Sequence, residues 1–154
     1  MNISELFLTR YDPLYTFWLA GTWEAVPQDL LRVRPHPQVN SIAWNLWHLT
    51  RVEDAGINRF VTDGVQVIDE GDWLRKMGLP WRHNGSDMTF AEVDELNRCI
   101  DLAALRGYME AVAARTRAVA AQLDHLDLTR LQRPIAANAI VCRGVAFHWK
   151  AVSL

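Results

Sequence analysis

Apolar residues recur at helical spacing along most of the chain, and three stretches carry the pattern most clearly. The first runs from Ile3 to Val26, where Leu6, Phe7, Leu14, Phe17, Trp18 and Gly21 repeat along one helix face. Asp12-Pro13 interrupts it. Proline has no N–H to give and suits the first turn of a helix, so this dipeptide predicts a kink near Tyr11 or a short turn before the main helix.

The second stretch, NSIAWNLWHLTRVEDAGINRF from Asn40 to Phe60, opens on the cap residues Asn40 and Ser41 and keeps its period for about five turns. On a wheel of about 100° per residue, Ile42, Leu46, Leu49, Ile57 and Phe60 fall on one side and predict a core face. Glu53 falls on that same apolar side, where a carboxylate needs a partner; Arg51, Arg59 or a loop amide are the expected ones. His48 lies off the centre, on a mixed face with Trp44, Asn45 and Val52 that suits the border of a pocket.

The third stretch, 101–124, steps by three and four through Leu102, Leu105, Met109, Val112, Thr116, Val119 and Leu123, the seam of an antiparallel bundle or coiled coil. Between these helices, 27–39 holds three prolines and must bridge a bundle end. The run 62–89 is long and rich in Gly, Asp and Asn, and carries Trp73, Trp81 and His83. A connection of that length is expected to act as a lid. It should contain a short helix near Asp72 to Met77. Thr89 followed by Glu92 forms a T-x-x-E capping box, which predicts a helix through Cys99. From Arg130 the period fades, and a fourth helix built there would be incomplete or atypical.

The expected fold is therefore all-α, an up-down four-helix bundle in which helices near 3–26, 40–62 and 101–124 pack antiparallel. At 154 residues, half of them hydrophobic, one domain spanning 1–154 is expected. The formal net charge of -2 is spread along the chain and forms no basic patch, so neither nucleic acid nor a membrane surface is an expected partner. Two cysteines, Cys99 and Cys142, and no leader or long apolar span point to a cytoplasmic protein with buried, reduced thiols. Seven tryptophans suggest an aromatic-lined cavity beside the core. No G-x-S-x-G, P-loop, C-x-x-C or GxGxxG motif is present.

The strings RPHPQVNSIAWNLWHLTRVEDAGINRFV, GDWLRKMGLPWRHNGSDMTFAEV and YMEAVAARTRAV resemble the DinB-like superfamily of four-helix bundles, over about residues 3–128. That resemblance implies a divalent metal such as Zn²⁺ or Ni²⁺ held by three histidines, one on the second helix and an H-x-x-x-H pair on the fourth. His48 matches the second-helix ligand. The pair has no match, because the positions four residues either side of His148 are Gly144 and Val152. A truncated or frame-altered end is one reading of that departure.

The resemblance also implies a small-molecule thiol as partner, since relatives include thiol-dependent S-transferases and the mycothiol-dependent maleylpyruvate isomerase. A divalent cation converts a bound thiol to its thiolate at neutral pH and wants about three protein ligands with one open position. His48 and, second to it, His148 are the metal candidates; Trp44, Asn45 and Glu53 are the pocket candidates. Two functions follow. One is a metal-dependent transferase acting on a low-molecular-weight thiol. The other, favoured by the missing pair, is a degenerate bundle with little or no metal that binds a small ligand or forms a homodimer.

Overall fold

The computed structural model describes residues 2–125. Helix α1 is continuous from Ile3: an α-helical part Ile3–Pro13, a π-helical turn Leu14–Leu19 and a last α-helical part Ala20–Ala25. Its start is fixed by a capping box in which Asn2 accepts from the Glu5 amide at 2.8 Å while the Glu5 carboxylate accepts from the Asn2 amide at 3.1 Å. Pro13 sits inside this helix rather than starting a new one. The widened π turn directly after it takes up the local misfit, so the expected break becomes a change of pitch.

A single turn, α2 (Gln28–Leu31), leads into the proline-rich connection. Helix α3 comprises Ile42–Ala55 and a π-helical end, Gly56–Val61. A short helix α4 (Trp73–Met77) lies in the long connection, followed by α5 (Phe90–Cys99) and the longest helix, α6 (Leu102–Ala120). Among the described residues every regular element is helical, so the chain is all-α. No helix among them is long and apolar enough to cross a membrane. The expected fourth long helix and His148 lie outside the described residues.

Contacts along the bundle give the helix directions. Ile3 meets Asp124, whereas Asp12 meets Arg117, so α1 runs antiparallel to α6. Helices α3 and α6 run the same way: Arg51 meets Tyr108, and further along both helices Asn58 meets Arg115. The chain returns through 62–101 before starting α6, which turns the expected antiparallel neighbour into a parallel one.

The core is built from Trp47, Leu96, Ile100, Leu105, Tyr108 and Val112, with Met77 and Leu79 brought in from the long connection. The α6 seam enters it as the three-four spacing predicts, through Leu102, Leu105, Met109, Val112 and Thr116. Helix α3 is rotated from the predicted setting. Leu49 and Phe60, expected inside, are 59% and 45% exposed, while Thr50, Arg51, Asp54 and Asn58 are buried.

Thr89 is the N-cap of α5, its hydroxyl accepting from the Glu92 amide at 3.3 Å while the Glu92 carboxylate accepts from the Thr89 amide at 2.7 Å. The Thr89 amide, and after it the Thr89 hydroxyl donating to the same carboxylate at 2.8 Å, hold the Glu92 carboxyl below its usual range. Thr89→Ala should lower unfolding free energy by about 1 kcal/mol, the common loss for a removed cap. An unmoved urea midpoint would show that α5 does not depend on it.

Candidate functional site

His48 owes its setting to the way α3 begins. The Ser41 hydroxyl accepts from the Trp44 amide at 3.0 Å and donates to Asn97 Oδ1 at 2.5 Å, which fixes both the first turn and its rotation against α5. One turn on, the half-buried His48 ring stacks on Trp44, centroids 4.6 Å apart and planes 9° from parallel. Its Nδ1 lies 2.5 Å from the carbonyl oxygen of Asn84. A carbonyl can only accept, so Nδ1 carries the proton and Nε2 keeps the free lone pair. That is the tautomer in which histidines bind metal ions through Nε2, with the other nitrogen held by a backbone carbonyl.

Glu53 belongs to a different cluster. Five residues separate it from His48, which places the two about 140° apart around the helix. Its carboxylate accepts the hydroxyls of Tyr11, of Tyr15 at 2.6 Å and of Thr116 at 2.6 Å, joining α1, α3 and α6. Hydroxyl groups, rather than the expected Arg51, Arg59 or loop amide, are its partners. Burial above all, and then Glu53 through its hydrogen bonds and its charge, push both phenols well above the usual tyrosine range. They stay protonated and keep donating. The Arg117 guanidinium lies 5.6 Å from each tyrosine ring centroid and pairs with Asp12 at 2.7 Å, closing the cluster. The three hydroxyl hydrogens engage both carboxylate oxygens and tie three helices together, so this cluster is a joint between helices.

A third constellation, Arg51 with Asp54, escaped the sequence reading. Asp54 is fully buried and its Oδ1 accepts from Val67 N at 2.8 Å and Asn58 Nδ2 at 2.8 Å. Its Oδ2 accepts from Ile68 N at 2.9 Å, Arg51 Nη1 at 2.9 Å and the Tyr108 hydroxyl at 2.6 Å. Arg51 continues the network to Gln66 Oε1 at 3.0 Å and twice to the Arg82 carbonyl, at 3.1 and 2.7 Å. Burial foremost keeps the Tyr108 phenol protonated. The pair thus clamps the long connection onto α3 from both sides. The available signal was the i, i+3 spacing of two opposite charges on the stripe that continues Trp47.

With the connection clamped, its indoles serve the core: Trp73 and Trp81 pack against it, and Trp73 lies 5.7 Å from the Tyr108 ring. The expected lid over a Trp-lined pocket is instead a docked segment. Of the pocket candidates, Trp44 touches His48, Asn45 is exposed and donates to the Ser41 carbonyl at 2.9 Å, and Glu53 serves the other cluster. His83 is exposed, accepting from Gly85 N at 3.0 Å. Cys99, expected buried, is exposed at the end of α5, and Cys142 lies outside the described residues.

Among the described residues, no three His, Cys, Asp or Glu side chains converge where they could hold a metal ion. The described donors therefore do not fit a catalytic divalent ion, for which His48 supplies one ligand of about three. No curated protein matches the chain. Over residues 19–149 the sequence matches the family model of the DinB superfamily, and the chain belongs to it.

Proposed function

We propose that this chain is a DinB-type bundle with a reduced metal site, which binds a small ligand or associates with itself and does not catalyse thiol transfer. The observation that carries this reading is the setting of His48, which has a ligand-ready Nε2 but belongs to no group of three metal-binding side chains among the described residues. The remaining ligands would have to come from residues 126–154, where the sequence holds one histidine, His148, and no H-x-x-x-H. Self-association is supported by apolar side chains left exposed on the long helices, Leu14, Phe17 and Trp18 on α1 and Leu49, Val52 and Phe60 on α3.

Calorimetric titration of the purified chain with Zn²⁺ or Ni²⁺ tests the proposal. Binding should be no tighter than tens of micromolar, a free energy of at most about 7 kcal/mol. His48→Ala should weaken it further while changing folding stability by no more than about 1 kcal/mol. One tightly held ion per chain, lost in both His48→Ala and His148→Ala, would replace this reading with the metal-dependent thiol transferase.

A further inference from the structure

We infer that the end of the bundle where α3 begins carries an oxyanion site, formed by Arg32, Asn97 and Arg98 and suited to a phosphate or carboxylate group on a small molecule. These residues and Asp94 line an open cavity of about 570 Å³ that shares no lining residue with the surroundings of His48. The inference is independent of the metal reading.

Asn97 is the central residue, only 6% exposed although its side chain is polar. Because the Ser41 hydroxyl already accepts from the Trp44 amide, its own hydrogen goes to Asn97 Oδ1, at 2.5 Å. That bond fixes the amide orientation, so the NH₂ is the group Asn97 presents to the cavity.

Arg32 adds a second donor. Its Nη2 holds the Ile100 carbonyl at 2.7 Å, which anchors the guanidinium in the lining of the cavity. Arg98, exposed in the last turn of α5, makes no hydrogen bond or ion pair among the described residues and can fold over a ligand. The one acid in the wall, Asp94, is engaged by Arg34 at 2.9 Å. Arg34 is itself fixed over the Phe90 ring at 4.5 Å. Arg32, Arg34 and Arg98 against Asp94 leave two positive charges in excess. N–H donors from a planar guanidinium and a preset amide, with a second, free cation beside them, match the acceptor-only oxygens of phosphate or carboxylate.

The test uses the whole chain in thermal unfolding, with sodium phosphate and sodium succinate in separate series against sodium chloride at equal ionic strength. The expected result is a saturable rise in Tm with at least one of the two anions, about 3–6 °C at ten times Kd. It should disappear in Arg98→Gln, whose exposed side chain leaves the fold intact. Saturation by phosphate alone assigns a phosphate group, and by succinate alone a carboxylate. Phosphate also strengthens burial generally by exclusion from protein surfaces, so the variant is the control that separates site from solvent. In ¹⁵N-labelled protein, the Asn97 side-chain NH₂ resonances should move with the same saturation. An equal rise in Arg98→Gln, no rise beyond chloride, or unmoved Asn97 resonances would overturn the site.

Discussion

Asp54→Asn should be the most damaging conservative change in the chain, lowering unfolding free energy by about 3–5 kcal/mol, the usual cost of stranding one partner of a buried ion pair. The side chain keeps its size, so no cavity contributes. What changes is that one oxygen becomes an NH₂ while all its neighbours remain donors. If the NH₂ replaces Oδ1, it faces Val67 N–H and Asn58 Nδ2; if it replaces Oδ2, it faces Ile68 N–H, Arg51 and the Tyr108 hydroxyl. Neither flip is satisfied, and Arg51, 3% exposed, loses its counter-charge. Urea unfolding of the variant measures the loss directly, and amide exchange at Val67 and Ile68 reports whether the connection has come free. Tyr108→Phe removes one donor and no charge, and should cost only about 1 kcal/mol. A loss below 1 kcal/mol for Asp54→Asn would mean that the clamp is not what holds the connection down.

That network also explains where sequence reasoning stopped. The limits of the helices were legible because their causes are local: Thr89 and Glu92 lie within one turn of each other, and the α6 seam repeats within its own helix. The rotation of α3 was not. A hydrophobic wheel turns Leu49 and Phe60 inward, yet the chain buries Arg51 and Asp54 instead, since donors arriving from residues 66–82 and 108 compensate their desolvation. Those donors are remote in sequence, so no periodicity within α3 can announce them. The same holds for direction: the residues joining α3 to α6 carry no mark that the chain crosses the bundle before α6 starts.

At the site, His48 was legible as a position through the family strings, while its tautomer depends on a carbonyl 36 residues away. Glu53 was legible as an anomaly on an apolar face. Its actual partners, Tyr11, Tyr15 and Thr116, are separated from it by 38 to 63 residues.

Gly85→Ala should couple stability to the state of His48. Gly85 has φ of +86°, a backbone setting that residues with a Cβ adopt at a cost of about 1–2 kcal/mol. Space adds to the strain, because a Cβ there would lie 2.5 Å from Trp47 Cζ3 and 3.2 Å from Met88 Sδ. Met88 can swing aside, but Trp47 is fully buried in the core and cannot. Relief must come from the loop backbone, and the combined loss should be about 2–4 kcal/mol. The segment that has to move contains the Asn84 carbonyl, the acceptor that keeps the proton on His48 Nδ1. In the parent protein, imidazole ¹⁵N shifts of His48 should report a single tautomer protonated at Nδ1. In Gly85→Ala they should report a mixture of tautomers, since the ring no longer has one fixed acceptor. A variant that unfolds within about 0.5 kcal/mol of the parent and keeps one His48 tautomer would show that the loop tolerates the methyl group. The link from Trp47 through Gly85 to His48 would then be absent.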